Sequence, residues 1–456
     1  MVIQQALLLL GPSNFKYEWK WLFAFGLALL GLGGFIVLDA SDKTSYFVID
    51  ALGFLLLVAG LIETIRGVVS PWNHSTPFEL SRAVTFIIIG LIVVLDPVTM
   101  KHVDAIILGS SFIVLGIFKL FFAILTRYPH WKIISLGGVM SILLGSFFFV
   151  QWGSHKHWVV PLLFGCVFIL MGGGAVSNAW MLRHTRLFAE KQGADIVALD
   201  YFLRYYVSPR YRPAFSHLPS PHKAAAEIKN MTKKCRPGTS ELLLRVWLPA
   251  ECAESYIPPE GKIPVLSRYL LVRDKKGCVT VGHSSLQLDP DIYISHTDKQ
   301  WYDKIMNNKY DDKDEDLSVL DQLKAHDEEG VFFGSYEEEA KYWMPATRTI
   351  KVSRFNERYL RLFESFYKKD STYNLAVRNC SVCIAMSLDI ALLGELGGSN
   401  MVLRFLRLIF DKDLWVAAFI RKRAEDMAWS PGLVHDYAMA MNSLIERHSG
   451  PVRTSR

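Results

Sequence analysis

Charge is what this sequence has least of. Only 21% of its 456 residues are Lys, Arg, Asp or Glu, against 51% hydrophobic, and the mean hydropathy is +0.21. One ordinary soluble domain carries about 25% charged residues, so that class is excluded. Cysteine is also sparse: six in the whole chain, which excludes a disulfide-dense secreted scaffold. Disorder and collagen-like repeats are excluded by the same composition. The apolar segment Ile3–Leu10 lacks a preceding basic residue and a following cleavage pattern. Residues 1–17 therefore read as a short interfacial segment, not a signal peptide.

The scarcity of charge is uneven. Residues 1–182 hold 10 Lys/Arg and 8 Asp/Glu, while residues 183–456 hold the other 76 charges. That contrast predicts a membrane part followed by a soluble part. A bilayer core asks for about 20 apolar residues per helix. Six spans meet or approach this: Trp21–Leu38, Tyr46–Ile65, Arg82–Leu95, Ala105–Leu125, Ile133–Val150 and Trp158–Met181. They read as three copies of a helix pair. Gly53, Gly109 and Gly165 recur every 56 residues, as do Gly60, Gly116 and Gly172; Gly33, Gly90 and Gly145 align similarly. Glycines at such positions let helices approach closely.

With the N-terminus inside, the cytoplasmic segments carry Lys16, Lys20, Arg66, Arg82, Arg127, Lys132, Arg183 and Arg186, against Lys43, Lys101 and Lys156 outside. Both termini are then expected in the cytoplasm. Glu63 and Lys119, also 56 residues apart, read as snorkelling side chains rather than a buried pair. No run of intramembrane polar residues marks a transport pathway. This block, residues 18–186, resembles the HdeD-like family of bacterial membrane proteins. The resemblance implies an inner-membrane, stress-linked protein and brings no catalytic residues.

Residues 187–240 form a basic linker. Eleven Lys/Arg face four acids over residues 183–240. Such a segment beside a membrane attracts anionic headgroups. Nucleic acid is not expected as a partner, because no nucleic-acid fold follows. Pro209, Pro213, Pro219 and Pro221 argue against a continuous helix here.

From residue 241 the pattern becomes α+β. Strands are expected at Leu242–Leu248, Val265–Val272, Gly277–Leu288, Ile292–His296 and Thr347–Val352, with helices at Arg354–Lys368, Cys380–Leu396, 400–427 and 432–447. Residues 310–329, with nine acids, read as a solvated insertion. Cys380 and Cys383 form a lone Cys-x-x-Cys, short of the four ligands of a structural zinc site, so neither metal nor cofactor is expected. Asn379-Cys380 precedes an apolar helix, which puts Cys380 at a helix start, where the backbone favours a thiolate. His283, in Gly282-His283-Ser284-Ser285, is the candidate base, on a strand. The third, orienting group is left open between His296 and Asp298.

The order Gly-His, strand, then Asn-Cys-helix resembles the circularly permuted papain-like fold, which includes NlpC-type peptidases and lecithin:retinol acyltransferase-like enzymes. Over residues 241–397 the resemblance implies Cys380 as nucleophile and His283 as base, with His296 matching the second histidine of the acyltransferase-like branch. It implies cleavage of an amide or ester in a peptide or acyl lipid through a thioester. The alternative is a non-enzymatic stress protein whose soluble part senses or binds a partner; a homo-oligomer is compatible with either. Residues 398–456 read as a helical extension. Its apolar stretches Met401–Phe410 and Leu414–Ile420, interleaved with arginines, suit either the membrane surface or packing against the preceding domain.

Overall fold

The computed structural model describes residues 1–12, 18–41, 100–126, 131–150, 159–192, 194–215, 241–249, 282–288, 291–306, 327–342, 344–426 and 428–449, with isolated positions elsewhere. The chain forms two units. One comprises Trp21–Phe118 and Leu136–Ala179; the other comprises Met1–Lys20, Lys119–Ser135 and Trp180–Arg456.

The first unit is built from apolar helices: α2 (Trp19–Ser41), α3 (Met100–Thr126), α4 (Trp131–Val150) and α5 (Val159–Gln192), α1 being the N-terminal helix Val2–Leu10. The glycines do bring backbones together. A Cβ added at Gly33 would meet the Gly165 carbonyl oxygen at 2.7 Å, and one at Gly26 would meet that of Gly172 at 2.9 Å. These contacts join α2 to α5 in antiparallel register. Gly116 and Gly145 join α3 to α4 in the same way, against Gly138 and Gly109. Close backbone approach at small residues is the usual basis of apolar helix pairing.

The expected six-span bundle of three repeated helix pairs is corrected by the structure. Among the described residues two helices are long and apolar enough to cross a membrane, Trp19–Asp39 and Gly165–His184. The apolar parts of α3 and α4, Gly109–Phe121 and Trp131–Phe147, are shorter. Those stretches fall short of the roughly 20 apolar residues that a bilayer core asks for, whereas Trp19–Asp39 and Gly165–His184 run to 21 and 20 residues. The expected spans Tyr46–Ile65 and Arg82–Leu95, including Glu63 and Gly53, lie largely outside the described residues. Lys119 does not reach for headgroups alone; its Nζ lies 3.5 Å from Asp426 Oδ2.

The second unit mixes helices and antiparallel sheets. After α6 (Ala194–Tyr201) and a π-helical turn at Phe202–Tyr206, its elements are β1 (Leu242–Trp247), β2 (Val272–Arg273), β3 (Val279–Thr280), β4 (His283–Leu288), β5 (Ile292–Ile294) and β6 (His296–Asp298). There follow α7 (Lys299–Met306), β7 (Glu328–Phe332), α8 (Tyr336–Tyr342), β8 (Arg348–Val352), α9 (Glu357–Tyr367) and β9 (Thr372–Tyr373). The chain closes with α10 (Cys380–Ala391), α11 (Met401–Ile409), α12 (Lys412–Asp426) and α13 (Pro431–His448). Strands β5-β4-β1-β8 form one sheet, β6-β7-β9 another, and β2-β3 a ribbon. The central strand β1 alternates buried leucines, and α10 packs on β4 between α9 and α13.

Two expectations change here. The N-terminal segment is core rather than interfacial: Leu7 to Leu10 are fully buried, and the Leu8 and Leu9 carbonyls accept from Gly394 N and Leu396 N, both at 2.8 Å. In the basic linker, helical to Tyr206 and so only up to its first proline, Arg210 is buried rather than facing headgroups, donating to the Glu425 and Ala376 carbonyls. Residues 228–240 and 307–326, parts of the expected linker and acidic insertion, lie outside the described residues, as do Cys235, Cys252 and Cys278.

Candidate active site

The site begins at the N-terminus of α10. Asn379, in extended conformation, caps the helix: its side-chain oxygen accepts from Val382 N at 2.7 Å, and its Nδ2 donates to Leu375 O at 2.6 Å. An Asn cap satisfies one of the helix's orphan donors. Cys380 is thereby the first helical residue, 7% exposed. The loop before it is held by Arg378, which lies over the Tyr367 ring and donates to the carbonyls of Thr372, Tyr367 and Asp370.

His283 opens β4, paired in register with Trp247 of β1. Gly282 before it has φ 72°, and a Cβ there would collide with the Trp247 carbonyl oxygen. The Gly-His order is thus required by the backbone. The imidazole lies between Trp247 and Trp301, ring centroids 5.5 and 6.1 Å away. Its Nε2 faces Ser295 Oγ at 2.8 Å and Glu339 Oε1 at 3.1 Å. The ring lies close enough to the Cys380 thiol for each group to shift the other's titration.

The electrostatics follow from this geometry. Burial by itself would lower the pKa of His283, but the Glu339 carboxylate and then the Cys380 thiol outweigh it and raise it to about 10. Burial would raise the Cys380 thiol, yet His283 foremost, with the Ser381 hydroxyl and the Ser284 backbone N–H, holds it below the ordinary thiol value. Both shifts favour a thiolate beside an imidazolium, the charge state a cysteine nucleophile requires. Cys383, one turn on, contrasts with it: burial pushes its thiol up to about 12.

The structure brings Cys380 and His283 together and leaves His296 elsewhere. His296 Nδ1 meets the Tyr367 hydroxyl at 3.2 Å and its Nε2 the Ser371 carbonyl at 3.3 Å, with the ring stacked on Phe332. Burial pushes its pKa down to about 3. Asp298 accepts from Trp301 N at 2.7 Å at the start of α7. The orienting position belongs to Glu339, fully buried on α8. It accepts from Ser295 Oγ at 3.1 Å and from the Tyr293 hydroxyl.

Glu339, Ser295 and Tyr373 were not found from the sequence. Glu339 ends an undistinguished run, Glu337-Glu338-Glu339. Ser295 did have a signal. Alternate residues of a strand share a face. Tyr293 and Ser295 therefore lie together, and His296 points away. Tyr373, on β9, is buried beside Cys380. Burial and the neighbouring thiol raise its pKa well above the usual phenol value, so it remains a neutral donor. Among the described residues no cluster of His, Cys, Asp or Glu is arranged to hold a metal ion. No family model matches the chain, and no curated protein or solved structure does so either.

Proposed function

We propose that this chain is a thiol hydrolase that cleaves an amide or ester through a Cys380 thioester, in the manner of the permuted papain-like enzymes its Gly-His and Asn-Cys motifs resemble. One observation carries the reading: a buried Cys380 at a helix N-terminus, electrostatically paired with His283, whose Nε2 lies 3.1 Å from the buried Glu339 carboxylate. Cys380 Sγ attacks the acyl carbonyl. The imidazolium of His283 donates its proton to the leaving amine or alcohol, and the neutral imidazole then takes a proton from the incoming water or alcohol. Glu339 keeps the ring oriented and stabilises its charged form. The Cys380 backbone N–H and the Tyr373 hydroxyl are the donors at hand for the developing oxyanion.

We place the enzyme at the cytoplasmic face of a bacterial inner membrane, attached through α2 and α5. Leu27, Leu32, Phe35 and Leu38 of α2 and Val167 and Leu170 of α5 are exposed, as lipid-facing residues would be. The substrate is then a peptide or an acyl lipid within reach of that face.

The test is an acyl-directed thiol probe followed by peptide mapping. The adduct is expected on Cys380, and to vanish in Cys380→Ala and fall by about 100-fold or more in His283→Ala. Equal labelling of Cys166 or Cys383 would refute the reading.

A further inference from the structure

We propose that the outer face of α11 and α12 is a docking surface for an anionic phospholipid bilayer. The two helices bury one side each. Met401, Phe405, Leu408 and Ile409 of α11, and Leu414, Ala417 and Ala418 of α12, pack inward. That settles their place in the unit and leaves the opposite side to explain.

On α11 the outward stripe is Leu403 and Arg407, continued by Phe410, which is 84% exposed. On α12 it holds Trp415, Val416 and Phe419, with Phe419 70% exposed. The remaining exposed residues of α12 are Lys412, Lys422 and Arg423. Together these fall at the i, i+3, i+4, i+7 spacing of a single helical face. The acids of α12 are all paired, Asp426 with Lys422 of the face itself. Asp413 accepts from Arg447 and Ser443, Glu425 from Arg421, and Asp426 faces Lys119 as well as Lys422. The face is therefore both apolar and of one charge sign.

That combination selects its partner. Large apolar side chains exposed alone would suit many surfaces, but aromatic and aliphatic groups interleaved with cations and free of exposed acids match the boundary of an anionic bilayer. The tryptophan suits the headgroup level, and its ring is already fixed, Nε1 donating to Ile409 O at 2.7 Å. A cleft of about 370 Å³ opens beside Leu403 and Arg407, with Arg404, Arg447 and His448 in its wall. The surface does not depend on the chemistry of Cys380.

Hydroxyl-radical footprinting of the full chain tests this, in nanodiscs of phosphatidylcholine alone and of phosphatidylcholine with phosphatidylglycerol. Oxidation of Trp415 and Phe419 is expected to fall at least about fivefold in the anionic discs relative to the neutral ones, the factor that about 1 kcal/mol implies for even one basic residue at the surface. High salt should restore it in the native chain, and so should the combined Lys412→Glu, Lys422→Glu and Arg423→Glu variant. Equal oxidation in both lipids overturns the proposal. So does protection that follows protein concentration instead of lipid charge, which would assign the face to a second copy of the chain.

Discussion

At the scale of single residues, reactivity depends on Glu339 more than on any group apparent in the sequence. Its carboxylate lies 3.1 Å from His283 Nε2 and is the main influence holding the imidazolium against burial. A raised histidine pKa means the charged form persists as pH rises until about 10, while the lowered thiol is already ionised at lower pH. A thiolate–imidazolium pair is thus favoured in a window between the two titrations, and the limbs of a pH–rate profile would belong to the couple. Glu339→Gln should lower the alkaline limb of the pH–rate profile and cut kcat/KM by about 100-fold; a profile with an unmoved alkaline limb would remove Glu339 from the site. His296 has the opposite expectation. His296→Phe keeps the aromatic stack but loses two hydrogen bonds, so about 1–2 kcal/mol of stability should go. Thermal unfolding reads that loss, and Cys380 labelling should not change.

Elements explain why part of the site was legible. A helix start after Asn and a glycine before a strand histidine are local signals, decided by capping and by φ, and both stand at the expected positions. The helix expected over 380–396 ends at Ala391, and that expected over 400–427 divides into α11 and α12, with Phe410 and Asp411 between them. Partners that meet only through tertiary packing were not legible. Glu339 reaches His283 because α8 returns over the β4–β5 edge, a path no local pattern encodes. The six-span reading failed for a related reason. The 56-residue glycine spacing records which helices are alike, not how long each apolar stretch is, and the contacts pair α2 with α5 across most of the apolar region. At this scale Asn379→Ala should cost about 1 kcal/mol in chemical denaturation. It should also slow Cys380 alkylation, because the cap fixes the first turn on which the thiol sits.

For the whole second unit, the joint between distant segments is a buried ion pair. Arg421 of α12 and Asp389 of α10 are both fully buried and in direct contact, and Tyr206 and Tyr437 donate to the same carboxylate. Gln5 of α1 completes the network, donating to the Tyr437 hydroxyl, with its Oε1 3.1 Å from the Tyr206 hydroxyl. One charge pair thus ties the N-terminal helix, α10 and the C-terminal helices into one core. Removing one partner strands the other charge without water. Asp389→Ala should therefore cost about 3–5 kcal/mol, and adding Arg421→Met should return part of it. Thermal unfolding of the single and double variants checks this; an additive double variant would show that the pair does not bind the segments together. The sequence hid this joint, since Gln5, Asp389 and Arg421 come from segments that read respectively as interfacial, helical and membrane-facing.

The central claim, that Cys380 is a nucleophile ionised by His283, is tested most directly by the rate of iodoacetamide alkylation of each cysteine against pH. The account predicts that Cys380 reacts below the ordinary thiol range, well ahead of Cys383, and that His283→Ala returns it to ordinary thiol behaviour. Alkylation of Cys380 that follows an ordinary thiol titration in the native chain, or is unchanged by His283→Ala, would contradict it.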